Sequence, residues 1–301
     1  MARPLFVVGR NRSGTKWLSN TIANHPDVAC VQRKGAGGIL EADILSKAPQ
    51  VFGPLSIDEN YLGFLACFSQ SNFFRATGLD RGDLYCPAAR TYSAYFRYIM
   101  DRYAEKEGKP FWLQKASVRA FETLIREFPD ARFIVIEREV VANIRSKMSV
   151  PNVLNPDRSN VLRALTAYWA DHSDASRFSH RSNVMPVTYE QFRSDRENLL
   201  RRISDFTGLT FHKAMLEDRW PRNTSFATET ARQQALTGRQ ERLIRWLSPL
   251  LKRVPNVLWG LVRLSVRRRS KNRFVRGSFA LVRSEYGWPE ESEAEAGADA
   301  R

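Results

Sequence analysis

Residues 5–16 read LFVVGRNRSGTK, and this stretch decides the class of fold. Its apolar first part, residues 5–8, is closed by Gly9 and predicts a short buried strand. A polar loop follows, and apolar residues then recur at helical spacing from Trp17 to Ile22. A strand, a glycine-bearing loop and a helix in this order predict a phosphate site, because the loop amides and the positive end of the helix face one cavity.

The order of residues inside the loop differs from that of NTPases. Their phosphate-binding loop requires Gly-Lys followed by Ser or Thr. Here Gly14 is followed by Thr15 and Lys16, and a cation already stands at Arg12. The sequence therefore indicates a phosphate-binding loop of another kind.

Further apolar runs extend the sheet. Residues 133–136 and 184–187 are typical of buried parallel strands, and helical patterns cover 118–128, 161–176 and 196–206. Strands that alternate with helical connections predict an α/β fold with a central parallel sheet flanked by helices. The Phe, Tyr and Leu residues of the stretch 40–110 suit either a substrate pocket or plain core packing.

A second phosphate-binding element follows the strand at 133–136. Arg138 stands at the strand end, and Ser146 comes eight residues later, two helical turns on. Both side chains can reach one phosphate beside that helix, and an arginine adds charge-assisted hydrogen bonds. An ordinary arginine at a helix start and a surface serine are the alternative interpretation.

Residues 12–15, with Trp17 behind them, resemble the 5′-phosphosulfate loop of sulfotransferases that use 3′-phosphoadenosine-5′-phosphosulfate (PAPS). The spacing from Arg138 to Ser146 is similar to the 3′-phosphate motif of that family. The resemblance spans residues 5 to about 226 and implies a P-loop-like sulfotransferase fold. Lys16 departs from it, because the family usually has a hydroxyl residue there.

The resemblance also assigns roles to individual residues. Arg12 would contact the bridging oxygen of the leaving phosphate, and Trp17 would lie against the adenine. Arg138 and Ser146 would bind the 3′-phosphate. The remaining loop residues, which would bind the 5′-phosphate, are Ser13, Gly14, Thr15 and Lys16.

Three looser matches complete the expected site. Tyr189, in a stretch that resembles the family's Tyr-Glu-Asp-Leu, would lie near the adenine. Thr224 and Phe226 resemble the outer residues of a Thr-Ser-Phe segment that lines the base, although a chance match explains three residues equally well. Lys115 resembles a lysine that reaches the sulfate or the bound phosphate, with a plain surface lysine as the alternative.

Sulfuryl transfer needs cations at the leaving oxygen and a general base for a hydroxyl acceptor. Arg12 and Lys115 are the predicted cations. Cytosolic members of the family have a histidine as base two residues after the lysine, but Ser117 stands there in this chain. Glu41 is the best-placed acid for the role of base, and an acid favoured at a helix N-terminus is its alternative interpretation.

Composition limits the setting of such an enzyme. No apolar run in the 301 residues reaches the ~18 that a membrane span requires, and the N-terminus lacks a signal-peptide pattern. The three cysteines have no metal-ligand spacing. We therefore expect a cytoplasmic enzyme without a metal ion.

The net charge of +15 is concentrated near the C-terminus, since residues 232–283 contain fourteen Lys or Arg and one acid, Glu241. We expect a sulfotransferase domain over 1–288, of which 232–288 is a basic, mostly helical extension, and a disordered acidic tail over 289–301. The extension could close over the cofactor, hold an anionic acceptor or make peripheral contact with an anionic membrane. The oligomeric state does not follow from the sequence.

The chain is thus predicted to be a sulfotransferase that transfers a sulfuryl group from PAPS to a hydroxyl or amine of a carbohydrate, lipid or small-molecule acceptor. A P-loop kinase is one alternative, but it needs the Gly-Lys-Ser/Thr order that the loop lacks. A basic nucleic-acid-binding module is another, and it leaves the loop and the Arg138–Ser146 pair unexplained. We therefore expect PAPS and an acceptor as partners, and no nucleic acid.

Overall fold

A computed structural model describes residues 1–33, 37–45, 48–149, 160–220 and 236–260. Seven strands lie within these ranges. In chain order they are β1 (Arg3–Gly9), β2 (Val28–Ala29), β3 (Gln32–Arg33), β4 (Gly38–Ile39), β5 (Phe111–Ser117), β6 (Arg132–Glu137) and β7 (Val184–Thr188).

Five of the strands form a parallel sheet in the order β2-β5-β1-β6-β7, and β3 pairs with β4 in a short antiparallel ribbon. The central strand β1 pairs with β5 on one side, where Val7 is opposite Lys115. On its other side β1 pairs with β6, where Gly9 is opposite Ile136. The chain leaves β1 toward one edge of the sheet and later returns on the other side. The carboxyl end of β1 is therefore the switch point at which open α/β sheets bind ligands.

Helices make the connections and cover the sheet. They are α1 (Thr15–Ile22), α2 (Ala48–Phe52), α3 (Asp58–Phe68), α4 (Asn72–Thr77), α5 (Tyr92–Lys106), α6 (Phe121–Glu127), α7 (Val140–Met148), α8 (Val161–Ser176), α9 (Tyr189–Ser194), α10 (Arg196–Thr207) and α11 (Gly238–Lys252). Short 3₁₀ helices cover Asp43–Leu45, Arg81–Leu84, Val118–Ala120 and Lys213–Leu216.

The sheet is buried on both faces. Along β1, Phe6 and Val8 join the apolar cluster that contains α3 and α5, whereas Leu5 and Val7 join the cluster that contains α1 and α10. Alternation of side chains along a strand sends successive residues to opposite faces. The predicted α/β fold, a parallel sheet flanked by helices, is confirmed.

The aromatic residues of α3 and α5 pack into the core. Tyr61, Phe64, Phe68, Tyr95 and Phe96 are all at most 1% exposed. The rings of Phe64 and Tyr95 meet edge to face with their centroids 5.1 Å apart. For these five residues, core packing accounts for the aromatic content of the stretch 40–110.

Two stretches of the chain differ from expectation or lie outside the description. The continuous helix indicated over residues 118–128 is a 3₁₀ turn at Val118–Ala120 followed by α6. Of the basic extension, residues 236–260 are described and include α11, while 232–235, 261–288 and the expected acidic tail lie outside the described residues. Across the described ranges, no helix combines the length and the apolar character that crossing a membrane requires.

Candidate active site

The loop between β1 and α1 has a backbone shape that depends on its sequence. Gly14 precedes α1 with φ of +91°, and Arg12 has φ of +73°. A Cβ atom on Gly14 would lie 2.5 Å from Cδ2 of Tyr189, and one on Gly9 would lie 2.6 Å from the carbonyl oxygen of Ile136. Glycine at these two positions lets the loop lie directly against β6 and α9. Gly14 is the N-cap residue of α1, and no side chain there accepts a hydrogen bond from the helix. The first backbone N–H groups of α1 therefore face the loop.

Arg12 joins the loop to the second predicted element. Its Nε donates a hydrogen bond to Oγ of Ser146 over 3.2 Å, and Nη1 of Arg138 donates to the carbonyl oxygen of Arg12 over 3.2 Å. Ser146 is 1% exposed on the inner face of α7. The structure therefore brings Arg12 into contact with two residues that are more than one hundred positions away in the sequence.

Asn143 is a loop contact that the sequence analysis missed. It is fully buried on α7, and its Nδ2 donates hydrogen bonds to Oγ of Ser13 over 3.0 Å and to the carbonyl oxygen of Asn11 over 3.3 Å. Asn143 lies three residues before Ser146 and hence on the same face of the helix. The sequence signal for Asn143 was a polar residue three positions before Ser146.

Aromatic residues form one side of the site. The rings of Trp17 and Tyr189 lie 5.7 Å apart between centroids, and Trp17 also packs against Phe192 at 4.2 Å. The guanidinium of Arg138 lies 4.4 Å from the centroid of the Tyr189 ring, within range of a cation–π interaction. Trp17 and Tyr189, which are both expected to lie near the adenine, are thus in contact with each other, whereas Thr224 and Phe226 lie outside the described residues.

Lys115, Glu41 and Lys16 form a charged group at the carboxyl ends of β1 and β5. Lys115 Nζ makes an ion pair with Oε1 of Glu41, and the side chain of Lys115 is 13% exposed against 54% for Glu41. Burial lowers the pKa of Lys16, and the charge of Lys115 lowers it further, while Glu41 opposes both effects. The three predicted catalytic or loop residues are therefore close enough to influence each other's charge.

The site is electropositive. Burial and, secondarily, the neighbouring charge of Arg138 lower the pKa of Arg12. The lowered pKa means that burial and Arg138 destabilise the charged form of Arg12. A bound anion would relieve this destabilisation. Four cations, Arg12, Lys16, Lys115 and Arg138, surround a loop at a helix N-terminus, and this arrangement fits the phosphates of a nucleotide.

Behind the loop, a buried acid holds two arginines. The carboxylate of Asp171 on α8 lies 3.6 Å from Nε of Arg10 and 3.5 Å from Nε of Arg119. The side chains of Asp171 and Arg10 are 11% and 9% exposed. Arg10 begins the loop and Arg119 follows β5, so Asp171 links two strand ends that border the site.

Ser117 stands where cytosolic members of the family that the sequence resembles have a histidine base. The Ser117 side chain instead accepts a hydrogen bond from the backbone N–H of Arg119 and caps the 3₁₀ turn.

Within the described ranges, no group of three or more His, Cys, Asp or Glu side chains is arranged to hold a metal ion.

Comparison with known proteins assigns the family. The family model described as "Sulfotransferase family" matches residues 4–213, more than half of the chain. This range contains the loop, the Arg138–Ser146 element, Glu41, Lys115 and Tyr189. The chain belongs to the sulfotransferase family and is a sulfotransferase, as its sequence predicted.

Several solved structures resemble the chain at low sequence identity. The sulfotransferase domain of the Synechococcus PCC 7002 olefin synthase is 16% identical with a TM-score of 0.48, covering 82% of this chain and 95% of that one. The sulfotransferase domain from the curacin biosynthetic pathway is 14% identical with a TM-score of 0.49, at 82% and 98% coverage. Mouse sulfotransferase SULT7A1 complexed with PAP is 13% identical with a TM-score of 0.48, at 87% and 89% coverage. Among curated proteins, no sequence matches the chain.

Proposed function

We propose that the chain transfers a sulfuryl group from PAPS to a hydroxyl or amine of an acceptor and releases adenosine 3′,5′-bisphosphate (PAP). The observation that carries the proposal is the bridge from Arg12 to Ser146 and Arg138. It joins a loop suited to a 5′-phosphate to a helix face suited to a 3′-phosphate. A nucleotide with phosphates on both sides of its ribose fits this spacing of cations.

We propose the following binding roles, which the positions of the side chains support. The loop amides of residues 13–16 bind the 5′-phosphate at the N-terminus of α1. Arg138 and Ser146 bind the 3′-phosphate. Trp17 and Tyr189 bind the adenine through their rings. Thr224 and Phe226 stay predictions for the far side of the base.

In the transfer step, the acceptor oxygen or nitrogen forms a bond to sulfur while the bond from sulfur to the 5′-phosphate oxygen breaks. The electron pair goes to the leaving oxygen, where Arg12 and Lys115 stabilise the charge. Glu41 takes the proton of the acceptor. The ion pair with Lys115 orients the side chain of Glu41.

Carbohydrate, lipid and small-molecule acceptors all stay open as substrate classes. The buried aromatic residues of α3 and α5 belong to the core and select none of them. A cytoplasmic location and a peripheral contact between the basic C-terminal region and an anionic membrane stay predictions.

Calorimetric titration with PAP in EDTA, beside ATP with Mg²⁺, tests the proposal. We expect PAP to bind without metal and to lose most of its affinity in Arg138→Ala, since charge-assisted hydrogen bonds to a phosphate are lost. Arg193→Ala, which removes an exposed arginine of α9, is the matched control and should bind like the wild type. Binding of ATP with Mg²⁺ alone would support a kinase, and binding of neither nucleotide would contradict the assignment of PAPS.

A further inference from the structure

Helix α11 buries one side and exposes another apolar side. Ile244 and Ser248 are 0% and 9% exposed and face α7 and α8, where Ile244 joins the cluster of Val141, Ile144 and Trp169. On a different side of the helix, Leu243, Trp246 and Leu250 are 38%, 68% and 52% exposed. Their spacing of three and four residues places them in one stripe. The stripe cannot be part of the contact with α7 and α8.

The apolar exposure continues past the helix. Val257 and Leu258 are 79% and 48% exposed. We define the C-terminal apolar surface as Leu243, Trp246, Leu250, Val257 and Leu258. Ten large apolar residues are exposed in the part of the chain that the structure describes, and these five fall within sixteen consecutive positions. Single exposed apolar residues are ordinary, but a cluster of this kind marks an interaction surface.

Basic residues accompany this surface. Arg239, Arg242, Arg245, Lys252 and Arg253 are all exposed along α11 or at its end. The acid of this helix, Glu241, makes an ion pair with Arg145 on α7. Residues 261–283, which follow directly, contain eight Lys or Arg and no acid. The surface therefore combines exposed apolar side chains with a strong positive charge.

We propose that the C-terminal apolar surface binds to an anionic phospholipid bilayer, with Trp246 and its apolar neighbours inserted at the interface. Amphipathic helices that lie on membranes combine an apolar side containing Trp and Leu with Lys and Arg on the polar side. A tryptophan ring prefers the boundary between headgroups and acyl chains. Each Lys or Arg near an anionic surface strengthens binding about fivefold. The charge favours this partner over a second copy of the chain, whose equally basic surface would repel it.

The position of α11 connects the membrane surface to the active site. Arg145, which holds Glu241, is the residue before Ser146 on α7. Helix α11 would thus link a bilayer on its exposed side to α7, the helix that borders the nucleotide site. The proposal concerns a partner and does not rest on the identity of the sulfuryl donor or acceptor.

Sedimentation of the full chain with vesicles tests the proposal. One set of vesicles is phosphatidylcholine alone, and the other is an equimolar mixture with phosphatidylserine. We expect binding to the mixed vesicles and little to the neutral ones. Binding should fall by about tenfold or more in the double variant Trp246→Ala/Leu250→Ser, because two apolar contacts with the bilayer are lost. Leu62→Ser, which removes an exposed leucine of α3, is the matched control and should bind like the wild type.

A second measurement distinguishes insertion of Trp246 into the bilayer from electrostatic binding alone. Brominated lipids quench the fluorescence of a tryptophan that inserts, so the quenching should be smaller in Trp246→Phe than in the wild type. Unchanged sedimentation of the double variant would overturn the proposal, because the basic residues beyond 260 would then suffice. Binding to neither kind of vesicle, or a dimer that the double variant abolishes, would overturn it as well. Titration with PAP on the same double variant keeps this result separate from the proposed function, since its affinity for PAP should not change.

Discussion

At the scale of single residues, the loop is shaped by contacts that leave no room for a side chain. Gly14 combines a positive φ with the ring of Tyr189 directly opposite its missing Cβ. Arg12 adopts a positive φ without being glycine, which costs about 1–2 kcal/mol and is accepted where function fixes the backbone. Two hydrogen bonds stabilise that conformation, one from Arg12 to Ser146 and one from Arg138 to the Arg12 carbonyl oxygen. The strain therefore lies where the leaving oxygen would be bound.

Gly14→Ala should damage both stability and nucleotide binding. The new methyl group would lie 2.5 Å from Tyr189, and alanine at this φ adds about 1–2 kcal/mol of strain. We expect a loss of about 2 kcal/mol or more in urea unfolding, together with weaker binding of PAP. Gly63→Ala is the matched control, because its Cβ would meet no atom within 4 Å. Gly63 lies inside α3, so alanine there should stabilise the chain by roughly 0.5–1 kcal/mol. Equal effects of the two substitutions would contradict the role of Gly14.

Lys16 predicts a pH effect on binding. Its pKa is lowered from the usual 10.5 by burial and by Lys115, and a phosphate beside it would raise the pKa again. Between the two pKa values, PAP binding should therefore take up protons, whereas well below the lower value it should take up none from Lys16. Calorimetry at alkaline pH in two buffers of different ionisation enthalpy measures this uptake. It should shrink in Lys16→Gln, and equal uptake in both proteins would rule out Lys16 as its source.

At the scale of elements, α7 and α8 hold the loop from two sides. Asn143 and Ser146 reach it from α7, and Asp171 reaches Arg10 from α8. The sequence predicted a role for Ser146 because its spacing of eight residues from Arg138 is similar to the 3′-phosphate motif of the family. It did not reveal Asn143 or Asp171. Each is a single polar residue in an otherwise ordinary helix, and its partners in the loop are more than one hundred residues away. Such contacts depend on packing, which periodicity does not encode.

Asp171→Asn should weaken the link between the loop and α8. Removing one partner of a buried ion pair costs roughly 3 kcal/mol, because the remaining charge stays buried. We expect a lower midpoint of urea unfolding and weaker PAP binding. The double variant Arg10→Met/Asp171→Leu removes both charges and should recover much of the stability, though not the binding. Glu122→Gln, whose partner Arg177 is exposed, is the matched control and should change stability little. A double variant less stable than Asp171→Asn would show that the ion pair itself is not the cause.

At the scale of the whole molecule, β1 is the centre of both the fold and the site. Its side chains alternate between the two apolar clusters, and its carboxyl end places the loop between β5 and β6. The sequence predicted this architecture from the apolar runs that form β1, β6 and β7. The order of elements between β2 and β5 was not predictable in the same way. There the helices bury aromatic residues such as Tyr61 and Tyr95, and aromatic content alone does not separate a core from a pocket.

Because the loop, α7 and α9 meet only in the folded chain, PAP should stabilise the whole domain. A ligand that binds the native state alone raises the free energy of unfolding by about 2.7 kcal/mol at a hundredfold excess over its Kd. For a chain of 301 residues, that corresponds to a rise in the midpoint of thermal unfolding of roughly 4 °C. We expect this rise with PAP in EDTA for the wild type and for Arg193→Ala, and a much smaller one for Arg138→Ala and Ser146→Ala. A rise that required Mg²⁺, or one that persisted in Arg138→Ala, would mean that the nucleotide binds elsewhere than between the loop and α7.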